Sequence, residues 1–142
     1  MREQRWEGGW YVVPWQVIFR DIDTFGHVNN AVYLTYFEHA RTSMWLALTG
    51  GSDSKDVGFI VARTECDFHH QLSMEPIEIR VRIGEMRTTS FDTLYEIWTA
   101  TNRQLAAKGR VVVVLFDWSK QRKTPITDEL RDRVRMFQKV AE

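Results

Sequence analysis

Asp21-Ile22-Asp23-Thr24-Phe25-Gly26-His27-Val28-Asn29-Asn30 separates an alternating apolar run from a long helical pattern. Two carboxylates, a histidine and two asparagines therefore fall in one short polar loop that opens into a helix N-terminus. A carboxylate at that place faces unpaired backbone N–H groups and the positive end of the helix dipole. One such loop can supply a base or nucleophile and, a few residues on, donors for an oxyanion.

Upstream, Trp15, Val17 and Phe19 alternate with Gln16, Ile18 and Arg20, which predicts a first strand after Pro14. Gly26 is the loop residue best suited to a positive φ. Asn29 or Asn30 suits the helix N-cap, since either side chain can accept from an N–H two or three residues on. From Asn30 to about Leu48 a helix is predicted, with Tyr33, Phe37, Ala40, Met44 and Leu48 along one stripe. Leu34, Tyr36, Trp45, Leu46 and Ala47 extend the apolar surface, so the helix is expected to be buried most of the way round. Gly50-Gly51 ends it, and a turn over Gly51–Gly58 follows.

Four strand patterns come next. Ile60, Ala62, Thr64, Cys66 and Phe68 share one expected face, and Ile77, Ile79, Val81 and Ile83 alternate with Glu78, Arg80 and Arg82. Phe91–Ala100 and Leu105–Trp118 are joined by a polar turn near Asn102-Arg103. Short connections make these strands antiparallel, with the charged faces turned to water or to another subunit. Thr127 then caps a short amphipathic helix through Leu130, Val134 and Phe137. One long apolar helix and one sheet bury their apolar faces only if the sheet curls around the helix. The predicted class is α+β, an antiparallel sheet wrapped around a long central helix in a single domain, 1–142.

The Asp-x-Asp-x-x-Gly loop, followed by a tyrosine early in the helix, resembles the signature of hotdog-fold acyl-CoA thioesterases of the 4-hydroxybenzoyl-CoA thioesterase-like group. Here those positions are Asp21, Asp23, Gly26 and Tyr33. The resemblance implies acyl-CoA thioester hydrolysis with Asp23 as the catalytic carboxylate, Asp21 in a structural place, and Asn30 contributing its backbone N–H to the oxyanion. It also implies a homodimer or homotetramer, with two sheets joined edge to edge and the active sites shared. Arg87 and Ser90, in the turn Arg87-Thr88-Thr89-Ser90, match the place where related enzymes meet the CoA nucleotide. Plant acyl-carrier-protein thioesterases share a His-Val-Asn-Asn run but carry an asparagine where this chain has Phe25, which favours the acyl-CoA branch. An acyl-carrier-protein thioesterase and a non-catalytic acyl-CoA-binding module are the rival readings.

Composition narrows the partners. With 142 residues the chain suits one domain, and 19 Lys+Arg balance 19 Asp+Glu, which disfavours a nucleic-acid partner. One cysteine, Cys66, forms no internal disulfide and fits a reducing compartment. No apolar run is long enough for a membrane span, and Met1–Arg5 leads into no signal-like segment, so a cytoplasmic protein is expected. No metal or other cofactor is expected, because Asp21 and Asp23 have no third ligand at metal spacing and His69 and His70, read as strand residues, point to opposite faces.

Among single residues, His27 is either a general acid and hydrogen-bond donor to substrate or a loop histidine that fixes the turn. Tyr33 is a core or pocket-wall residue rather than a catalytic one. Cys66 is packing rather than a nucleophile. Glu38 and His39 face either a partner's pocket or solvent.

Overall fold

The computed structural model describes residues 3–51 and 57–139. Its elements run β1 (Arg5–Glu7), β2 (Trp10–Gln16), a single 3-10 turn (Phe19–Asp21), α1 (Asn30–Thr49), β3 (Val57–Phe68), β4 (Pro76–Met86), β5 (Ser90–Thr99), β6 (Leu105–Asp117), β7 (Arg122–Lys123) and α2 (Asp128–Phe137). Among the described residues the strands form one antiparallel sheet ordered β1-β2-β4-β5-β6-β3, with β7 paired to β6. The sheet wraps α1, and the core lies between them: Phe37, Ala40, Met44 and Leu48 meet Ile79, Val81, Phe91 and Tyr95, all fully buried or nearly so.

Helix α1 begins at the expected cap. Asn29 is extended (φ −60°, ψ 137°) and its side chain accepts from the Ala31 N–H at 2.9 Å. The helix stops at Gly50, which takes the left-handed conformation that ends many helices. The expected stripe is buried throughout. The expectation of burial most of the way round is corrected, because Leu34 is 40% and Leu46 55% exposed. A sheet curled over one side of a helix covers that side only.

The strand expected after Pro14, which β1 precedes, is also corrected. It lies at Trp10–Gln16, not after Pro14, and Val17 to Asp21 turn away through the 3-10 turn. Pro14 is tolerated inside β2 because the last pair with β1 is at Val12, so beyond it β4 is the strand's only partner among the described residues. Among the described residues strand β3 pairs only with β6, and a register shift between Val61 and Arg63 breaks its alternation. Its expected apolar face is therefore not a core face: Ile60, Ala62, Thr64 and Phe68 are exposed, and only Cys66 reaches the core margin. Most of the turn expected at Gly51–Gly58 lies outside the described residues, and Val57 and Gly58 already belong to β3.

The charged outer face is cross-paired. Glu85, Arg87, Asp92, Arg110, Glu65 and Arg63 form a continuous run of ion pairs across the sheet at 2.9–3.5 Å. Helix α2, capped by Thr127, buries Leu130 and Val134 and stacks Phe137 on Trp6. It ties down further when Arg133 donates to the Leu48 carbonyl at 2.7 Å.

Candidate active site

Between the 3-10 turn and α1 the chain makes a miniature hairpin. Asn29 N–H donates to Asp21 O (3.0 Å), Ile22 and Val28 form a bridge, and Asp23 N–H donates to His27 O (2.8 Å). The tip closes with Gly26 N–H on Asp23 O at 3.1 Å, and Gly26 sits at φ 82°, where a side chain is strained. Val28 N–H donates to Leu72 O (2.9 Å), which seats the hairpin beside the start of β4.

Asp23 is half-buried in this frame. One oxygen, Oδ1, accepts from Phe25 N–H at 2.8 Å and from His27 N–H at 3.4 Å. Among the described residues nothing donates to Oδ2. That leaves one carboxylate oxygen held by the loop and the other available. On the helix side, Asn29 accepts from Ala31 N–H through its side chain and from Val32 N–H through its carbonyl. The Asn30 N–H, first in the helix, has no acceptor among the described residues, and the helix dipole adds to its positive character.

Asp23, His27, Asn30 and Tyr33 line one open cleft of about 360 Å³, together with Phe25, Val28 and the segment 68–71. Tyr33 is buried, meets Phe68 edge-on at 5.0 Å and donates its hydroxyl to His70 O at 3.3 Å. Burial raises its pKa, which keeps it a proton donor. His27 is half-buried and fixes the turn through its backbone while its side chain lines the cleft, so its two readings are compatible.

Arg87 and Ser90 are not brought to this cleft. They sit at the far end of β4, whose eleven residues span roughly 30 Å. Arg87 is engaged there by Asp92 at 3.0 Å, Glu85 at 3.2 Å and the Ser90 hydroxyl at 3.4 Å. His39 packs on Trp15 with ring centroids 4.2 Å apart, and Glu38 is exposed.

The strand reading of His69 and His70 is corrected. β3 ends at Phe68, so His69 and His70 are not strand residues on opposite faces. Both backbone N–H groups converge on Ala106 O, at 2.8 and 3.1 Å, and both residues line the cleft. The only hint was the end of apolar alternation after Phe68. Asp21 also gains a contact that its position did not reveal: its Oδ2 accepts from the Tyr36 hydroxyl at 2.7 Å.

A family model for the thioesterase-like superfamily matches residues 17–134, from the turn before this loop to α2. The chain belongs to that superfamily. Its architecture is the hotdog fold. A thioesterase of Thermus thermophilus, in a crystal structure with coenzyme A and Zn, is 31% identical with a TM-score of 0.76, over 92% of this chain and 96% of that one. A predicted thioesterase from Bacillus stearothermophilus is 25% identical with a TM-score of 0.82, over 94% and 99%. The acyl-CoA thioesterase YbgC of Helicobacter pylori is 29% identical over 91 residues, 63% of this chain and 68% of its own.

For this thioesterase-like chain, the family's chemistry is thioester hydrolysis, and a cleft lined by both a carboxylate and the N-terminus of a helix is suited to it. No group of three or more His, Cys, Asp or Glu among the described residues is placed to hold a metal ion. No described helix is long and apolar enough to cross a membrane.

Proposed function

We propose that the protein hydrolyses acyl-CoA thioesters, with Asp23 as the reacting carboxylate and the Asn30 N–H as oxyanion donor. The observation that carries this reading is one cleft lined both by Asp23, whose Oδ2 accepts from nothing among the described residues, and by Asn30, the first residue of α1. In the nucleophilic route Oδ2 attacks the thioester carbon, the C–S bond breaks, and the CoA thiolate leaves and takes a proton from solvent. Water then cleaves the mixed anhydride to free acid and regenerated carboxylate. In the general-base route Oδ2 takes a proton from water as that water attacks the same carbon, the C–S bond breaks, and the leaving CoA thiolate takes up that proton. In both, negative charge develops on the carbonyl oxygen, where the Asn30 N–H and the α1 dipole stabilise it. His27 and Tyr33 then flank the acyl group as hydrogen-bonding and packing walls. The names of the Helicobacter YbgC and of the CoA-bound Thermus structure support acyl-CoA over acyl-carrier protein.

The assembly proposed is a homodimer through β3, with a tetramer as its further association. β3 is a sheet edge with Ile60, Val61 and Phe68 exposed, and Phe68 also lines the cleft, so a second copy at that edge would complete the site. Arg87 and Ser90 can reach a CoA nucleotide bound at Asp23 only across such a boundary. Sedimentation showing an active monomer would remove this part.

The functional test is thiol release from a panel of acyl-CoA esters by wild type and Asp23→Asn. We expect the variant to fold normally and to lose at least about a thousandfold in kcat, the scale for losing a reacting group. Near-normal turnover by Asp23→Asn would refute the assignment. Turnover only on acyl-carrier-protein esters, or binding without turnover, would select one of the rival readings.

A further inference from the structure

Besides the packing of Ile22 and Val28 on the core, hydrogen bonds on both limbs fasten the miniature hairpin that presents Asp23 to the body. On its outgoing limb, Val28 N–H donates to Leu72 O at 2.9 Å. On its incoming limb the Asp21 carboxylate does the fastening: Oδ2 accepts from the Tyr36 hydroxyl at 2.7 Å and from Ile18 N–H at 3.3 Å. Asp21 also closes the hairpin base, since its carbonyl accepts from Asn29 N–H at 3.0 Å. Tyr36 is almost fully buried, and burial, followed by the neighbouring Asp21, pushes its hydroxyl above the usual tyrosine range. It therefore stays a proton donor under all ordinary conditions.

Tyr36 and Asn30 belong to the same helix, six residues apart, which is roughly 9 Å along the axis. Asp23 lies two residues beyond Asp21. The hydrogen bond thus links the reacting carboxylate to the very helix that carries the oxyanion donor. Without it the hairpin keeps the Val28–Leu72 bond and the packing of Ile22 and Val28 on the core, but the Asp21 carboxylate loses its hold on α1. The distance between Asp23 Oδ2 and the Asn30 N–H would then no longer be set by a rigid element.

We propose that the Tyr36–Asp21 hydrogen bond is the device that holds Asp23 in register with the Asn30 N–H, making Tyr36 and Asp21 positioning residues for turnover. This rests on the acyl-CoA reading above for its kinetic consequence, but not for its structural one. Asp21 is then more than the structural residue that its place in the loop implies. Neither residue need touch substrate. A displacement of about 1 Å at a reacting group can cost on the order of a hundredfold in rate.

The test uses Tyr36→Phe, which removes one oxygen and leaves the buried ring, with Asp21→Ala and Asp21→Asn. For Tyr36→Phe we expect kcat to fall about 10- to 100-fold with KM changed less than about threefold, because substrate contacts remain while register is lost. Asp21→Ala should behave alike, and the double variant should be little worse than the poorer single one. Asp21→Asn keeps an oxygen to accept from the hydroxyl and should recover most of the Asp21→Ala loss. Hydrogen exchange reports on the fastening without substrate: in Tyr36→Phe the peptide spanning 21–29 should exchange at least about tenfold faster, with the β4–β5 peptide unchanged. An active wild type with Tyr36→Phe within about twofold of it in kcat would overturn the proposal, as would unchanged exchange over 21–29. If wild type releases no thiol from any acyl-CoA, the functional reading fails, while the exchange result still decides the fastening.

Discussion

Gly109, in the middle of β6, lies directly beneath the ring of Phe37, and this contact sets how closely α1 approaches the sheet. A Cβ built on Gly109 would sit 2.6 Å from Phe37 Cζ, closer still to Cε2, and 3.0 Å from the Glu65 carbonyl oxygen. Ordinary contact needs at least 3.4 Å, so the ring must move by about 1 Å. It has little freedom to do so. Phe37 is fully buried and stacked on Tyr95 with centroids 4.3 Å apart, and the Tyr95 hydroxyl is held by Arg41 at 2.8 Å and Thr93 at 2.6 Å. Overpacking of this kind costs about 1–3 kcal/mol, and a pinned neighbour places Gly109→Ala at the upper end. Replacing glycine in a strand returns about 0.5–1 kcal/mol through the unfolded chain. The net expectation is about 2 kcal/mol, or a fall of roughly 4–8 °C in Tm for a domain of this size. Urea and thermal unfolding followed by circular dichroism read the effect directly. Adding Phe37→Leu should recover part of the loss, since the shorter side chain vacates the space. A Gly109→Ala protein melting within about 1 °C of wild type would refute the close-packing account.

Two further expectations concern groups away from the cleft. Arg87→Ala leaves Asp92, only 5% exposed, with Arg110 at 3.5 Å as its remaining counter-charge, so it should destabilise by about 1–3 kcal/mol in urea titrations, whatever it does to KM. Comparing acyl-CoA with a truncated acyl-pantetheine then isolates any nucleotide contact, which only the longer substrate can lose. Cys66 has its thiol pushed up to about 11, first by burial and then by Asp67. A raised value means less thiolate at a given pH. Iodoacetamide should therefore label it at about pH 8 more than about a hundredfold slower than a free cysteine, with the rate rising about tenfold per pH unit until the thiol ionises. Labelling at the free-thiol rate would show the residue to be unburied.

What the chain reveals of itself depends on how local each cause is. The α1 cap and stripe were legible because Asn29, Ala31 and the i, i+3, i+4 positions interact within one element. Ile77 to Ile83 were legible because alternation is a property of a single strand. The strand expected after Pro14 was misplaced because Val17 and Phe19 continue the alternation of Trp15, while the chain turns to reach Glu75, whose carbonyl accepts from Val17 N–H at 3.1 Å. β1 went unread although Gly8-Gly9 is a strong signal for a two-residue hairpin. The loop, Asp23 and Asn30 were legible because they lie within one short segment of chain. His69, His70 and the Tyr36–Asp21 bond were not, since they depend on where β3 ends and how α1 lies against the hairpin. The engagement of Arg87 by Asp92 is likewise a cross-strand fact that no single-strand pattern carries.

The place of β3 in the sheet has a consequence for how the molecule assembles itself in time. β4, β5 and β6 follow one another as hairpins, closing first at Met86 and Phe91, five residues apart. β3 finds its partner only at a distance, Phe68 with Ala107 and Val57 with Asp117. Closing that long loop carries a larger entropic penalty, and it brings no reward until β6 itself is in place. The meander around Phe91 and Tyr95 should thus form early, and β3 should zip on after it, as should β2, whose nearest pair with β4 joins Gln16 to Pro76. The strand proposed to receive a second subunit is then also one that docks late, so a late step in folding and the recruitment of a partner meet on the same edge.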